Sequence, residues 1–398
     1  MIRFFASALF AIFAATSCLV QVVQAVPQTA KTIPKPITES NPETNAKPNP
    51  EVLAAIESAF EYLISKQSPK DGGWHSECYG PLRQGAASSG LVIYSLSHLP
   101  DPLLQKRKQE ITRAAEFVRR RILKNGSVAN HDGSLDYPVY CTAMLLTAHL
   151  KMDLGILEAD TQRMLNYLLM SQCLQRRGFE NGNVNIGGWD ILGLNGPVHG
   201  KTPGANVSVT FYVTEALKGY SKQDRRVEDS LKNANQWCLS LQNAEEGGFY
   251  FSAIRKSPLN KAGTTYTGTP RSYGSATQDG IGILLNTGME SKNFRLQNSI
   301  EWMNKNPQLT VPGFENGHKE SAWAKALQYY YLAAYSRNIS MSRDAASRKN
   351  KIIKLLLRAQ EKDGSWKNAL PNMREDDPLI ATSFALIALC NLTEAKTK

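Results

Sequence analysis

One short pattern recurs along this chain and restricts its fold more than any other feature. An apolar helix end is followed by a polar residue, a glycine-containing turn and usually an aromatic ring. The first copy is Tyr62-Leu63, Gln67, then Asp71-Gly72-Gly73-Trp74, and the last is Leu355-Leu356, Gln360, then Asp363-Gly364-Ser365-Trp366. Between them lie Tyr167-Leu168 with Gln172 and Gly178-Phe179, and Trp237-Cys238 with Gln242 and Gly247-Gly248-Phe249. Two looser copies are Phe117-Val118 leading to Asn125-Gly126-Ser127-Val128, and Trp302-Met303 leading to Gly313-Phe314. Each pattern ends a helix, reverses the chain and pins the turn with a ring. With anchors at Gln67, Ile122, Gln172, Gln242, Pro307 and Gln360, the period is about 50–70 residues, the range of repeat architectures.

The helices between these turns are of two alternating kinds. Residues 109–122 are striped, with Ile111, Ala114, Ala115, Val118 and Ile122 on one face. Residues 51–66, 158–172, 228–241, 293–304 and 349–360 are striped in the same way. The other kind is apolar nearly all round, as in residues 380–392, and recurs at 86–98, 138–150, 206–220, 274–287 and 320–336. A helix apolar on every side needs burial on every side. Six outer–inner pairs in two concentric rings satisfy both kinds, so the expected fold is an all-α (α/α)6 toroid. Two connections are long, 174–205 and 247–273, and both lead into inner helices at what should be one mouth of the ring.

The toroid is expected over residues 51–398. Residues 1–25 have the form of a signal peptide, with Arg3, an apolar run from Phe4 to Val20 and a small-residue site at Val23-Gln24-Ala25. A lipidated Cys18 is the alternative, and membrane association is expected only in that case. Residues 26–50, rich in Pro, Thr, Asn and Lys, are expected to be a disordered linker. Together these place the protein outside the cytoplasm, in a periplasm or medium. The net charge of +11 is read as a solvated basic surface. No basic run is interleaved with aromatics, which sets nucleic acid aside. Five cysteines follow the leader, an odd number without CxxC spacing. Cys141 and Cys390 are expected as buried thiols, and Cys173 and Cys238, at successive helix ends, as a possible pair.

The turns that carry Gln67, Asp71 and Trp74, and Gln360, Asp363 and Trp366, with Gln172 and Gln242 between them, resemble the QW repeat of squalene and oxidosqualene cyclases. The alternating helices resemble the toroid those cyclases share with protein prenyltransferase β subunits. The phrases Arg271–Ser275 and Asp377–Leu386 are similar to segments of exported bacterial proteins built from such repeats. The resemblance implies the fold over about residues 51–392. It implies little chemistry. Squalene–hopene cyclases protonate their substrate from an Asp-x-Asp-Asp cluster, and the nearest stretch here is Arg374-Glu375-Asp376-Asp377, with a cation in the first place. A cation lowers a neighbouring carboxyl's pKa, the wrong direction for an acid. Asp377 before Pro378 has the form of a helix cap. The prenyltransferases hold zinc with Asp-x-Cys and a distant His. Here Asp136 and Cys141 are five apart, and no histidines stand at metal-pair spacing, so neither metal nor cofactor is expected.

Several sugar-active enzymes also use six helix pairs, with two carboxylates across a cleft. The acids near inner-helix starts are Asp136, Asp279, Glu320 and Asp377, of which Asp279 and Asp136 are the pair to test. Asp279 lies one turn into an apolar helix, a costly place for a charge. Tyr137, Tyr140, Tyr273 and Trp323, with Asn206, Arg271 and Glu320, are the expected lining of a central cavity. Six parallel helix N-termini, with Lys201, Lys261 and Arg271, should make that mouth favour anionic or polar-headed ligands. The expected function is binding of an apolar or amphiphilic ligand in the central cavity; the alternative is a divergent enzyme, either terpenoid-processing or a polysaccharide-acting hydrolase or lyase with a sugar ligand, using Asp279 and Asp136.

Overall fold

The computed structural model describes residues 49–132, 134, 136–196, 204–222, 224–254, 259–314 and 321–393. The leader, Cys18, Lys201 and Glu320 lie outside the described residues. The described chain is helical, with three isolated β-bridges and no strand. The outer helices are α1 (Pro50–Ser65), α4 (Lys108–Arg119), α6 (Glu158–Ser171), α8 (Arg225–Ser240), α10 (Phe294–Lys305) and α13 (Ala345–Ala359). The inner helices are α2 (Ala86–Leu96), α5 (Pro138–Met152), α7 (Val207–Lys218), α9 (Gly274–Asn286), α12 (Gln328–Asn338) and α14 (Pro378–Thr393). Two short helices, α3 (Asp101–Lys106) and α11 (Ser321–Ala326), precede α4 and α12.

The inner helices pack in the order α2, α5, α7, α9, α12, α14 and back to α2, a closed ring. The apolar-all-round sequence of α14 is buried at every position from Leu379 to Cys390, whereas α4 buries only the stripe Ala114, Ala115, Phe117 and Val118. The inner helices run parallel. Near their starts, the Cys141 thiol of α5 meets the Ala86 carbonyl of α2 at 3.1 Å, and Tyr330 of α12 meets Ser208 of α7. Near their ends, Lys151 lies 3.2 Å from His98, and Asn391 donates to Ser336 at 3.0 Å.

The glutamines of the turns hold the rings together. Gln67 donates its amide to the Gly72 carbonyl of its own turn (2.9 Å) and to Glu110 of the next outer helix (2.8 Å). Gln242 does the same to Gly247 and Arg295, both at 2.8 Å. Gln360 reaches Gly364 at 3.0 Å and Ala55 at 2.9 Å, so the last turn is fastened to the first helix and the ring closes. The glycines are held by geometry. Gly364 has φ +89°, and a Cβ there would stand 2.3 Å from the Ser58 carbonyl oxygen of the next outer helix. Gly126, at φ +86°, meets Arg163 at 2.0 Å in the same sense. The backbone conformation and the close approach both require glycine.

Three expectations change. Gln172 does not pair with Gly178-Phe179. Its amide meets Gly187 at 2.8 Å and Ser230 of α8 at 2.9 Å. Trp189 then fills the ring's place, its indole donating to Leu168 at 2.7 Å, as Trp74 does to Leu63 and Trp366 to Leu356. Residues 174–186 are an insertion within the turn, held by the buried Arg177–Asp190 pair. The helix expected over 320–336 is two, because Glu375 takes the amide N–H groups of Tyr329 and Tyr330 and starts α12 afresh. Cys173 and Cys238 are free and buried. Their thiols point to Asp190 (3.6 Å) and to the Gly280 carbonyl (3.7 Å), not to each other.

Candidate functional site

The middle of the ring is filled by a hydrogen-bonded polar cluster. Asp279 is buried and accepts from Tyr330 at 2.6 Å and from Arg337 at 2.8 Å, both on α12. Burial pushes its carboxyl up to about 6, while the Arg337 guanidinium and the Tyr330 hydroxyl pull it back. Arg337 also lies 3.6 Å over the Phe211 ring. Tyr94 donates to Glu215 at 2.7 Å, and its ring meets Tyr212 edge-on, as does that of Tyr140. The charge one turn into α9 is therefore one half of a buried ion pair.

The other acids near the inner-helix starts cap helices. Asp377 accepts the Leu379 N–H at 3.0 Å and the Ser76 hydroxyl at 2.5 Å. Asp136, fully buried, accepts the Ala87 N–H at 3.0 Å and so caps α2, a helix that begins without a side-chain cap of its own. Burial raises its carboxyl to about 7. Asn206 caps its own helix through Val209 at 3.0 Å. Glu375, fully buried and raised to about 8 by desolvation, caps α12 through the two tyrosine amides and also accepts from Asn368 at 3.1 Å. Asp136 and Asp279 share no hydrogen-bond partner: the first accepts from Ala87, the second from Tyr330 and Arg337. Asp136, Asp279 and Asp377 are each engaged in holding helices. Among the described residues no three His, Cys, Asp or Glu side chains come together as a metal site would need.

The mouth at the helix starts carries cations on aromatic rings. Lys261 places its ammonium 3.9 Å from the Phe251 centroid and 5.4 Å from that of Trp323. It donates to the Leu259 carbonyl at 3.3 Å, and burial lowers its pKa to about 8. No carboxylate lies within ion-pair distance of it among the described residues. Arg374 lies over Tyr79 (5.0 Å) and Tyr137 (5.2 Å). Tyr137 meets Tyr140, and Tyr137, Tyr140, Phe251 and Trp323 are all half-buried. Tyr273 is instead fully buried beneath Phe314. Arg271 turns back on its own loop, donating to Thr264 at 3.1 Å.

Two features of the site escaped the sequence. One is a Ser or Thr hydroxyl early in an inner helix that accepts the N–H of the turn residue. Ser89 serves Trp74, Thr142 serves Val128, Thr210 serves Trp189, Thr277 serves Phe249 and Thr382 serves Trp366. A search for hydroxyl residues 14–28 positions after each turn would have found them. The other is the Tyr79–Arg374 contact, which joins residues almost 300 positions apart and leaves no local signal.

No protein-family model matches the chain, and no curated protein matches it. Solved structures do. A variant of the type II terpene cyclase MstE from Scytonema, in complex with geranylgeranyl dihydroxybenzoate, is 13% identical. The match covers 86% of this chain and 97% of that one, with a TM-score of 0.53. A protein from Actinoplanes is 14% identical over 86% and 100%, with a TM-score of 0.56. A glycosyl hydrolase family 88 protein from Bacteroides vulgatus is 12% identical over 86% and 97%, with a TM-score of 0.51. At such identities the likeness shows the fold: the chain is a terpenoid cyclase-like (α/α)6 toroid.

Proposed function

We propose that this toroid binds an amphiphilic ligand at the mouth formed by its inner-helix N-termini, and that it does so as an exported protein. The apolar part of the ligand lies against Tyr137, Tyr140, Phe251 and Trp323, and an anionic head faces the cations of the rim. One observation carries the reading. The acids Asp136, Asp279, Glu375 and Asp377 are committed to helix caps or to Arg337, while Lys261 and Arg374 stand on aromatic rings without a carboxylate partner among the described residues. Parallel helix N-termini add positive potential at the same end. The lipid-like molecule held by the terpene cyclase of the same fold is in keeping with this. A glycoside hydrolase reading needs two carboxylates free to face one substrate, whereas Asp136 is engaged by the Ala87 N–H and Asp279 by Tyr330 and Arg337.

The test is titration of the purified protein with dodecanoate, followed by tryptophan fluorescence and calorimetry. Saturable one-site binding is expected, and Trp323→Ala should weaken it by about tenfold, or about 1.4 kcal/mol. Absence of saturable binding, or a Trp323→Ala affinity equal to that of the parent, would count against the proposal.

A further inference from the structure

We infer that Arg374 is the head-group site of the rim and that the head group it takes is a carboxylate. The inference rests on the amphiphile reading above and narrows it. Three independent features of the structure meet at this side chain.

The first is an unmet donor. The Nη1 atom of Arg374 is buried and has no hydrogen-bond partner. A guanidinium offers five N–H donors in a fixed fork, and buried donors are nearly always paired in native proteins. The three acids that follow it in sequence are turned elsewhere: Glu375 to the Tyr329 and Tyr330 amides, Asp376 to the Tyr79 hydroxyl, and Asp377 to Ser76 and Leu379. A cation beside three carboxylates that pairs with none of them is placed for a charge from outside the chain.

The second is strain. Among the described residues only Tyr137, Asp153 and Arg374 have positive φ without being glycine. Two of these three, Tyr137 (φ +50°) and Arg374 (φ +60°), touch each other through ring and guanidinium. Left-handed backbone at bulky residues persists only where surrounding structure enforces it, and it concentrates at ligand clamps. The third is continuity. Tyr137 meets Tyr140, and both rings are half-buried, so the aromatic surface beside the guanidinium extends along the rim where an apolar tail can lie.

A planar two-oxygen acceptor matches the guanidinium fork in a way that a point charge or a hydroxyl does not. The experiment compares dodecanoate, dodecanol and dodecyl phosphate on the full chain and on Arg374→Lys and Arg374→Gln, with thermal melts to verify folding. The unsubstituted protein should bind dodecanoate about tenfold or more tighter than dodecanol. In both variants that preference should fall to about threefold or less, with dodecanol affinity unchanged. Equal binding of acid and alcohol by the unsubstituted protein overturns the site, and that comparison needs no variant to fold. So does a preference that survives Arg374→Gln, or a preference for the phosphate over the carboxylate. Failure of dodecanol and dodecanoate alike would sink the amphiphile reading as well, whereas dodecanol binding without carboxylate preference sinks Arg374 alone.

Discussion

Asp279 is a carboxylate surrounded by the apolar faces of a helical ring, and its partner on the next inner helix makes that tolerable. Burial alone lifts its pKa, and Arg337, 2.8 Å away, stabilises the ionised form. Removing one member of a buried pair strands the other charge, at about 3–5 kcal/mol, while replacing both with apolar residues is often close to neutral. Asp279→Ala should therefore destabilise strongly in urea denaturation, and the Asp279→Leu/Arg337→Met double variant should recover most of the loss. A double variant as unstable as the single one would show that the pair is not what makes the middle of the ring costly to disturb. The neighbouring Tyr330 bridges Asp279 and Ser208, so the effect of Tyr330→Phe will not add simply to that of Asp279→Ala.

Two inner helices, α2 and α12, begin on acids drawn from other parts of the chain, and this gives the elements a pH dependence. Glu375 moves from its usual value near 4.5 to about 8 on folding, through desolvation that its hydrogen bonds only partly offset. Between those values the folded chain holds a proton that the unfolded chain has released. Its contribution to stability is complete below about 4.5 and is lost as pH rises through about 8. Asp136, raised to about 7, acts in the same sense. Melting temperature should therefore fall from pH 5 to pH 8.5, and fall less in Glu375→Gln. An identical slope in parent and variant would exclude Glu375 as the source.

Across the whole molecule, the last repeat is fastened to the first by α14, by Gln360 and by the hydrogen bonds of Asp376 to Tyr79 and Asp377 to Ser76. α14 sits between α12 and α2, and Gln360 ties the final turn to Ala55 of α1. Gln360→Leu removes two hydrogen bonds and leaves two partly buried carbonyls without that donor, a loss of about 2–4 kcal/mol. Because this fastening joins the two ends of the array, hydrogen exchange should accelerate first in α1. Gln172→Leu, at an interior turn, should leave α1 protected. Equal acceleration of α1 in both would refute the special role of the seam. The six outer helices and five of the six inner ones were legible in sequence because burial on one side or on all sides writes itself into hydrophobic periodicity, while the run over 320–336 reads as one helix where the chain makes α11 and α12. The mouth was only half legible. Tyr137, Tyr140 and Trp323 were named from their places near helix starts, where all three are half-buried. Arg374 was noticed only for failing to be an aspartate, since its contacts come from remote residues.

The amino-acid sequence alone determined that outer striped helices alternate with inner apolar ones and that glycine turns connect them, because these follow from side-chain spacing along a single helix. Only tertiary structure decided that Gln172 belongs with Gly187 and Trp189 rather than Gly178 and Phe179, since an insertion lengthens that turn without altering its hydrogen bonds. It also decided the fate of the acids. Asp136 and Glu375 cap helices whose capped residues lie 49 and 45 positions away. A carboxylate that serves another helix's N-terminus obeys proximity in space, which no local pattern records.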